Sequence, residues 1–84
     1  MDFDNKVDLG TKQDWVNYTP TKNGIIVVSG AWNGVQGCGI KDLDSDMALF
    51  NSITSSSFIA GNVIVNKGRI YTYYGNSCWF IPFK

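Results

Sequence analysis

The sequence predicts an all-β domain, on three observations. Short runs rich in Val, Ile, Tyr, Phe and Trp recur, Gly, Asn and Ser punctuate them at intervals of roughly 8–12 residues, and the connections are too short for parallel crossovers. Together they predict antiparallel neighbours in one compact unit of about seven or eight strands.

Residues 1–13 carry charge without sustained alternation and read as a leader or linker, with Val7 and Leu9 alternating enough for a brief edge strand. The domain proper is expected over 14–84. Trp15, Val16, Asn17 and Tyr18 form its first β-prone run, stopped by Thr19 and Pro20 and by the turn pair Asn23 and Gly24. Ile25, Ile26, Val27 and Val28 follow, four β-branched residues in succession, which predicts a central strand buried on both faces. Asn33 and Gly34, between Trp32 and Val35, carry the strongest hairpin signal, because a type I′ turn requires positive φ at both positions. Residues 35–41 are the expected return strand.

Residues 42–52 allow two readings: a helical turn capped by Asp44, with Met47 and Phe50 on one face, or an irregular loop. After Ser55, Ser56 and Ser57 comes a run through Phe58, Ile59 and Ala60, which Gly61 and Asn62 are expected to turn into Val63, Ile64 and Val65. Asn66, Lys67 and Gly68 make a three-residue loop with Gly placed for a left-handed bulge. A strand over 69–74, a turn at Gly75, Asn76 and Ser77, and a last strand over 78–83 complete the reading. Pro82 suits a strand end, where its missing N–H leaves no gap in the ladder.

Composition bounds the function. Of the 84 residues, 23 are Leu, Ile, Val or Phe, enough apolar matter to fold although the core of so short a chain is thin. Seven basic residues balance seven acidic ones, every acid is Asp, and His is absent. A neutral chain offers no footprint for nucleic acid. No apolar run reaches membrane-spanning length and the first residues lack the basic and apolar regions of a signal peptide, which predicts a soluble chain made in a cytoplasm. Without His a hydrolytic triad cannot be assembled, a glycosidase pair would have to come from Asp14, Asp42, Asp44 and Asp46, three of which lie in one expected loop, and a serine among residues 52–57 would lack a base. The chain reads as a non-enzyme with no cofactor and no catalytic or metal site. Asp42, Asp44 and Asp46 alternate like the front of a calcium loop, but Met47 stands where the sharp-turn Gly belongs and Ile53 where the closing acid belongs, so a solvated loop is the preferred reading. Cys38 and Cys78 are 40 positions apart with no metal-binding spacing; one disulfide between them is open, and the preferred reading is two free thiols packed like small apolar residues.

Aromatic residues are the richest functional resource. Alternation places Tyr71 and Tyr73 on one face of their strand, and Trp79, Ile81 and Phe83 opposite Cys78, Phe80 and Pro82 on the next. Both faces of these strands are apolar or aromatic. One covers the core, and the other needs a partner, because large exposed apolar patches are uncommon on monomers. Tyr71, Tyr73, Trp79, Phe83 and Trp32 are the interface or ligand candidates.

Trp15, Tyr18, Thr19 and Pro20, then Asn23, Gly24 and Ile25, resemble the opening of small C-terminal domains of tailed-bacteriophage tail fibres and related appendages. Val65, Lys67, Gly68 and Tyr71, and the ending Phe80, Ile81, Pro82, Phe83 and Lys84, are similar to the later segments of those domains. The resemblance implies a jelly-roll-like β-sandwich, trimeric at the distal tip of a fibre in the virion, serving assembly and recognition of a host-surface glycan or protein receptor. Residues 1–13 would end the shaft or collar. Residues 41–57 match nothing in that pattern. The alternative is a monomeric carbohydrate-binding module stacking sugars on Trp32, Trp79 or Tyr73; a small β inhibitor or toxin is a third reading.

Overall fold

The computed structural model describes residues 1–31, 33–53 and 59–84. In it a 3-10 turn, Phe3–Asn5, precedes strands β1 (Val7–Tyr18), β2 (Gly24–Gly30), β3 (Gly37–Asp42), β4 (Met47–Ile53), β5 (Ile59–Val65) and β6 (Tyr71–Pro82). All pairings are antiparallel, in the order β4-β3-β6-β2-β5, with β1 also on β6.

Strand β6 organises the rest. Its pairing with β1 runs from Val7↔Phe80 to Tyr18↔Tyr71, while β3 takes its first half and β2 its second. A strand has two edges, so β2 and β3 follow one another along the edge opposite β1. Connectivity then demands a bend. Tyr18 lies beside Tyr71 and Gly24 beside Pro82, at opposite ends of β6. Residues 19–23 reach about 20 Å at most, whereas a straight strand as long as β6 would span roughly 37 Å. The bend falls at residues 75–77, where the inward side switches from Tyr71 and Tyr73 to Cys78 and Phe80. Glycine is required at its start, since a Cβ on Gly75 would stand 2.9 Å from the Ser29 carbonyl oxygen. Strand β1 follows the bend through three register shifts, two of them flanking Gly10 at φ +80°.

The sheet therefore doubles over into a near-barrel with two halves. In the first, the start of β1 and the end of β6 continue into β2 and β5; in the second, the end of β1 and the start of β6 continue into β3 and β4. Between them lies a shared core of Ile26, Val28, Cys38, Ile40, Val65, Tyr71, Tyr73, Cys78 and Phe80. The halves meet again where the Phe50 ring of β4 occupies the space a side chain at Gly61 of β5 would need.

Several expectations change. Six strands replace seven or eight among the described residues, because Gly61 and Gly75 lie inside strands where turns were expected. Residues 47–53 form neither a helical turn nor a loop but β4, paired to β3 through a turn at residues 43–46, with Asp46 at φ 55°. A local turn does form at Asn33 and Gly34, where the Gly34 N–H donates to the Ala31 carbonyl at 3.1 Å, but β2 and β3 do not pair as a hairpin. Gly68 takes φ +81° as its loop requires, yet β5 and β6 are separated by β2. The brief edge strand expected at Val7 and Leu9 extends without a break through residues 7–13 into the run at Trp15, as the first part of β1, and the Asp2 N–H donates to the Pro82 carbonyl at 2.7 Å. Strand β2 is central as expected, paired on both edges. Ser55, Ser56, Ser57 and Phe58, expected to lead into a strand, lie outside the described residues.

Candidate functional site

Each half presents an outer face, and their side chains differ. On the β2 half, Ile26 and Val28 point into the core, so Ile25 and Val27 point out. Register sets Ile64, Ile25 and Ile81 side by side across three strands, with Asn62, Val27 and Trp79 as the next row. Ile64 is 70% exposed, Ile25 and Val27 are half-buried, and Ile81 is nearly covered. The Lys6 ammonium stands 5.7 Å from the Trp79 ring centre, and the Trp79 indole N–H donates to the Ser77 hydroxyl at 3.1 Å. Exposed Phe83 follows at the end of β6.

On the β3 half, register aligns Tyr74, Gly39 and Asn51, with Trp15 of β1 packed on Tyr74 at 4.6 Å between ring centres and 59° between planes. Asn17, Thr72, Lys41 and Ala48 make the adjacent row. The two rings can approach the sheet closely because β3 is glycine there: a Cβ on Gly39 would stand 2.7 Å from the edge of the Trp15 ring and 3.0 Å from that of Tyr74. Trp15 remains 40% exposed. The Tyr74 hydroxyl donates to the Asn51 side-chain oxygen at 3.4 Å, and burial raises its pKa. Lys41 is shared between the Trp15 ring, 5.6 Å away, and the Asp46 carboxylate at 2.8 Å, which it holds below its ordinary pKa.

Between β4 and β5 lies a shallow groove of about 200 Å³ lined by exposed Met47, Leu49, Ile64 and Arg69 and by buried Asp42 and Tyr71. Asp42 is bound in bidentate fashion by Arg69 at 2.8 and 2.7 Å and accepts the Ser45 hydroxyl at 2.5 Å. The guanidinium, with Ser45, holds its carboxyl well below the usual range. Asp42 and Asp46 thus turn to separate cations and do not converge on one point. Among the described residues no three His, Cys, Asp or Glu side chains gather as metal ligands would.

Of the residues the sequence singled out, Tyr71 and Tyr73 are 3% and 4% exposed and belong to the core, which corrects their reading as surface contacts. Both lie on the inner side of the bend: the Tyr71 hydroxyl accepts the Asn66 N–H at 2.8 Å, and that of Tyr73 donates to the Leu9 carbonyl at 3.5 Å. Trp79 and Phe83 sit outside the core, at the apolar face. Trp32 lies outside the described residues. Cys38 and Cys78 are free, buried thiols on strands as expected, and burial pushes Cys78 up to about 11. Sequence reasoning missed the pairing of Trp15 with Tyr74 and the outward set Ile25, Val27 and Ile64. The second was open to strict alternation along β2; the first depends on which strands neighbour β6. Compared with known proteins, the chain matches no protein family, no curated protein and no solved structure.

Proposed function

We propose that this chain is a non-enzymatic assembly and adhesion module that holds further copies of itself through the outer face of β5, β2 and β6. The observation that carries the reading is the row Ile64, Ile25 and Ile81 backed by Val27 and Trp79, with Asn62 at its edge: β2 and the end of β6 are apolar on both sides, and Ile64 beside them is still 70% exposed in the single chain. Removing such a row from water is favoured at roughly 25 cal/mol per Å² of apolar surface. The resemblance to phage fibre tips supports three copies around a common axis, in the virion, with host-surface recognition left to the remaining surface. Light scattering at micromolar concentration tests this. A mass three times that of the 9.3 kDa chain, falling to one chain in Ile64→Lys with Val27→Lys, is the expected result. A single-chain mass for the unaltered protein overturns it.

A further inference from the structure

From the β3 half we infer a second, separate site: a neutral carbohydrate platform in which the exposed face of Trp15 stacks on a pyranose ring and Asn51, Lys41 and Asn17 bind its hydroxyls. The edge of the Trp15 ring rests on Gly39, Tyr74 packs beside it, the Lys41 ammonium stands 5.6 Å from its centre, and the residue is still 40% exposed, so the ring is held and accessible. A held aromatic surface lowers the entropy lost on stacking. Around it the two register rows supply an amide at Asn51, an ammonium at Lys41 and an amide at Asn17, with Ala48 their one aliphatic side chain. An apolar surface beside a few fixed polar groups is the general form of a small-ligand site, and here it matches the two sides of a sugar ring, C–H on one and O–H on the rim.

The same residues argue against the other ligands that stack on aromatics. Nucleic acid brings phosphates that need unspent cations, whereas the charge of Lys41 is offset by Asp46 at 2.8 Å, which still leaves ammonium N–H groups for neutral hydroxyls. A protein partner is anchored by aromatics in a dry apolar surround, which is what the opposite face offers and this one does not. The platform is independent of self-association, since it uses no residue of the Ile64 row.

The test is a titration of the whole chain, isotopically labelled, with neutral mono- and disaccharides of glucose, galactose, mannose and N-acetylglucosamine, read at the tryptophan indole N–H signals. We expect at least one sugar to move the Trp15 signal and leave that of Trp79 in place, with affinity on the order of millimolar. Trp15→Ala should weaken binding about tenfold or more, and Asn51→Ala about threefold. Melting curves check that each variant folds, and Trp15→Phe replaces Trp15→Ala if that variant does not. The inference is overturned if no sugar of the panel moves Trp15, if the shifts fall on Trp79, if Trp15 and Asn51 variants bind as well as the parent, or if single-stranded oligonucleotides bind the site more tightly than the sugars.

Discussion

On the β2 half the outward side chains are Ile25, Val27, Ile64 and Trp79; on the β3 half they are Trp15, Lys41, Asn51 and Asn17. Both halves are the same sheet, share β1 and β6, and enclose one core. What differs is confined to the side of each strand that folding does not need. The bend at residues 75–77 makes this possible, because it turns the two inner surfaces toward each other and leaves two outer surfaces facing apart. Stability should therefore reside in what the halves share, and recognition in what they do not.

The largest effects should come from the shared parts. Phe80→Ala, at a ring 2% exposed, should cost about 3–5 kcal/mol, a large share of the stability of a domain of this size. Gly75→Ala attacks the bend itself, since its new methyl meets the Ser29 backbone, and should cost about 1–3 kcal/mol. Urea denaturation measures both, and each should lower the stability of the two halves together in one transition. Two separate transitions would show that the halves fold independently and that the comparison drawn above is wrong.

The Asp42–Arg69 pair ties the end of β3 to the loop before β6 and gives the shared structure a pH signature. Its carboxyl is lowered from 3.8, so the stability it contributes is fully present above that value and is lost as the pH falls below it toward the folded value. Arg69→Gln should lower the urea midpoint at neutral pH, and the gap to the parent should close below pH 3.8. A gap that stays constant into acid would mean that the guanidinium acts through packing of its stem and not through the carboxylate.

Next in size are the outer faces. Ile64→Ser should change the stability of the single chain by no more than about 0.5 kcal/mol, as surface substitutions do, yet weaken self-association more than tenfold. Asn51→Ser on the other face should leave the mass in solution unchanged. Sedimentation of the two variants side by side separates the faces, and equal loss of association in both would erase the distinction.

Much of this was legible in the residues alone. The all-β class followed from turn chemistry and from β-branched runs, and the four consecutive β-branched residues of β2 marked a strand with two apolar faces. What was not legible is which strands neighbour which. The only consecutive strands that pair among the described residues are β3 and β4, joined at residues 43–46 where a helical turn was one reading. Gly61 and Gly75 misled for a physical reason: glycine signals a tight turn or a close approach by another group, and here the approaching groups are Phe50 and the Ser29 backbone, distant in sequence. Tyr71 and Tyr73 were assigned to a single face correctly, but which face was inside depended on the bend.

The smallest effect gives the finest comparison. Each face has a lysine over a tryptophan, Lys6 at 5.7 Å from Trp79 and Lys41 at 5.6 Å from Trp15. Partly exposed contacts of this kind contribute about 0.5–1 kcal/mol, so Lys6→Gln and Lys41→Gln should lower stability by similar small amounts. They should differ in electrostatics, because Lys41 also holds Asp46 at 2.8 Å, with side chains 31% and 80% exposed. Lys41→Gln should let the Asp46 carboxyl rise back toward 3.8, visible in an NMR titration of its side chain, while Lys6→Gln leaves it in place. Added salt should shrink the Lys41 effect, since an exposed ion pair is screened within about 10 Å at 0.1 M. If the two substitutions respond to salt alike, the Lys41–Asp46 pair adds nothing in solution, and the cation on the Trp15 face is as free as the one on the Trp79 face.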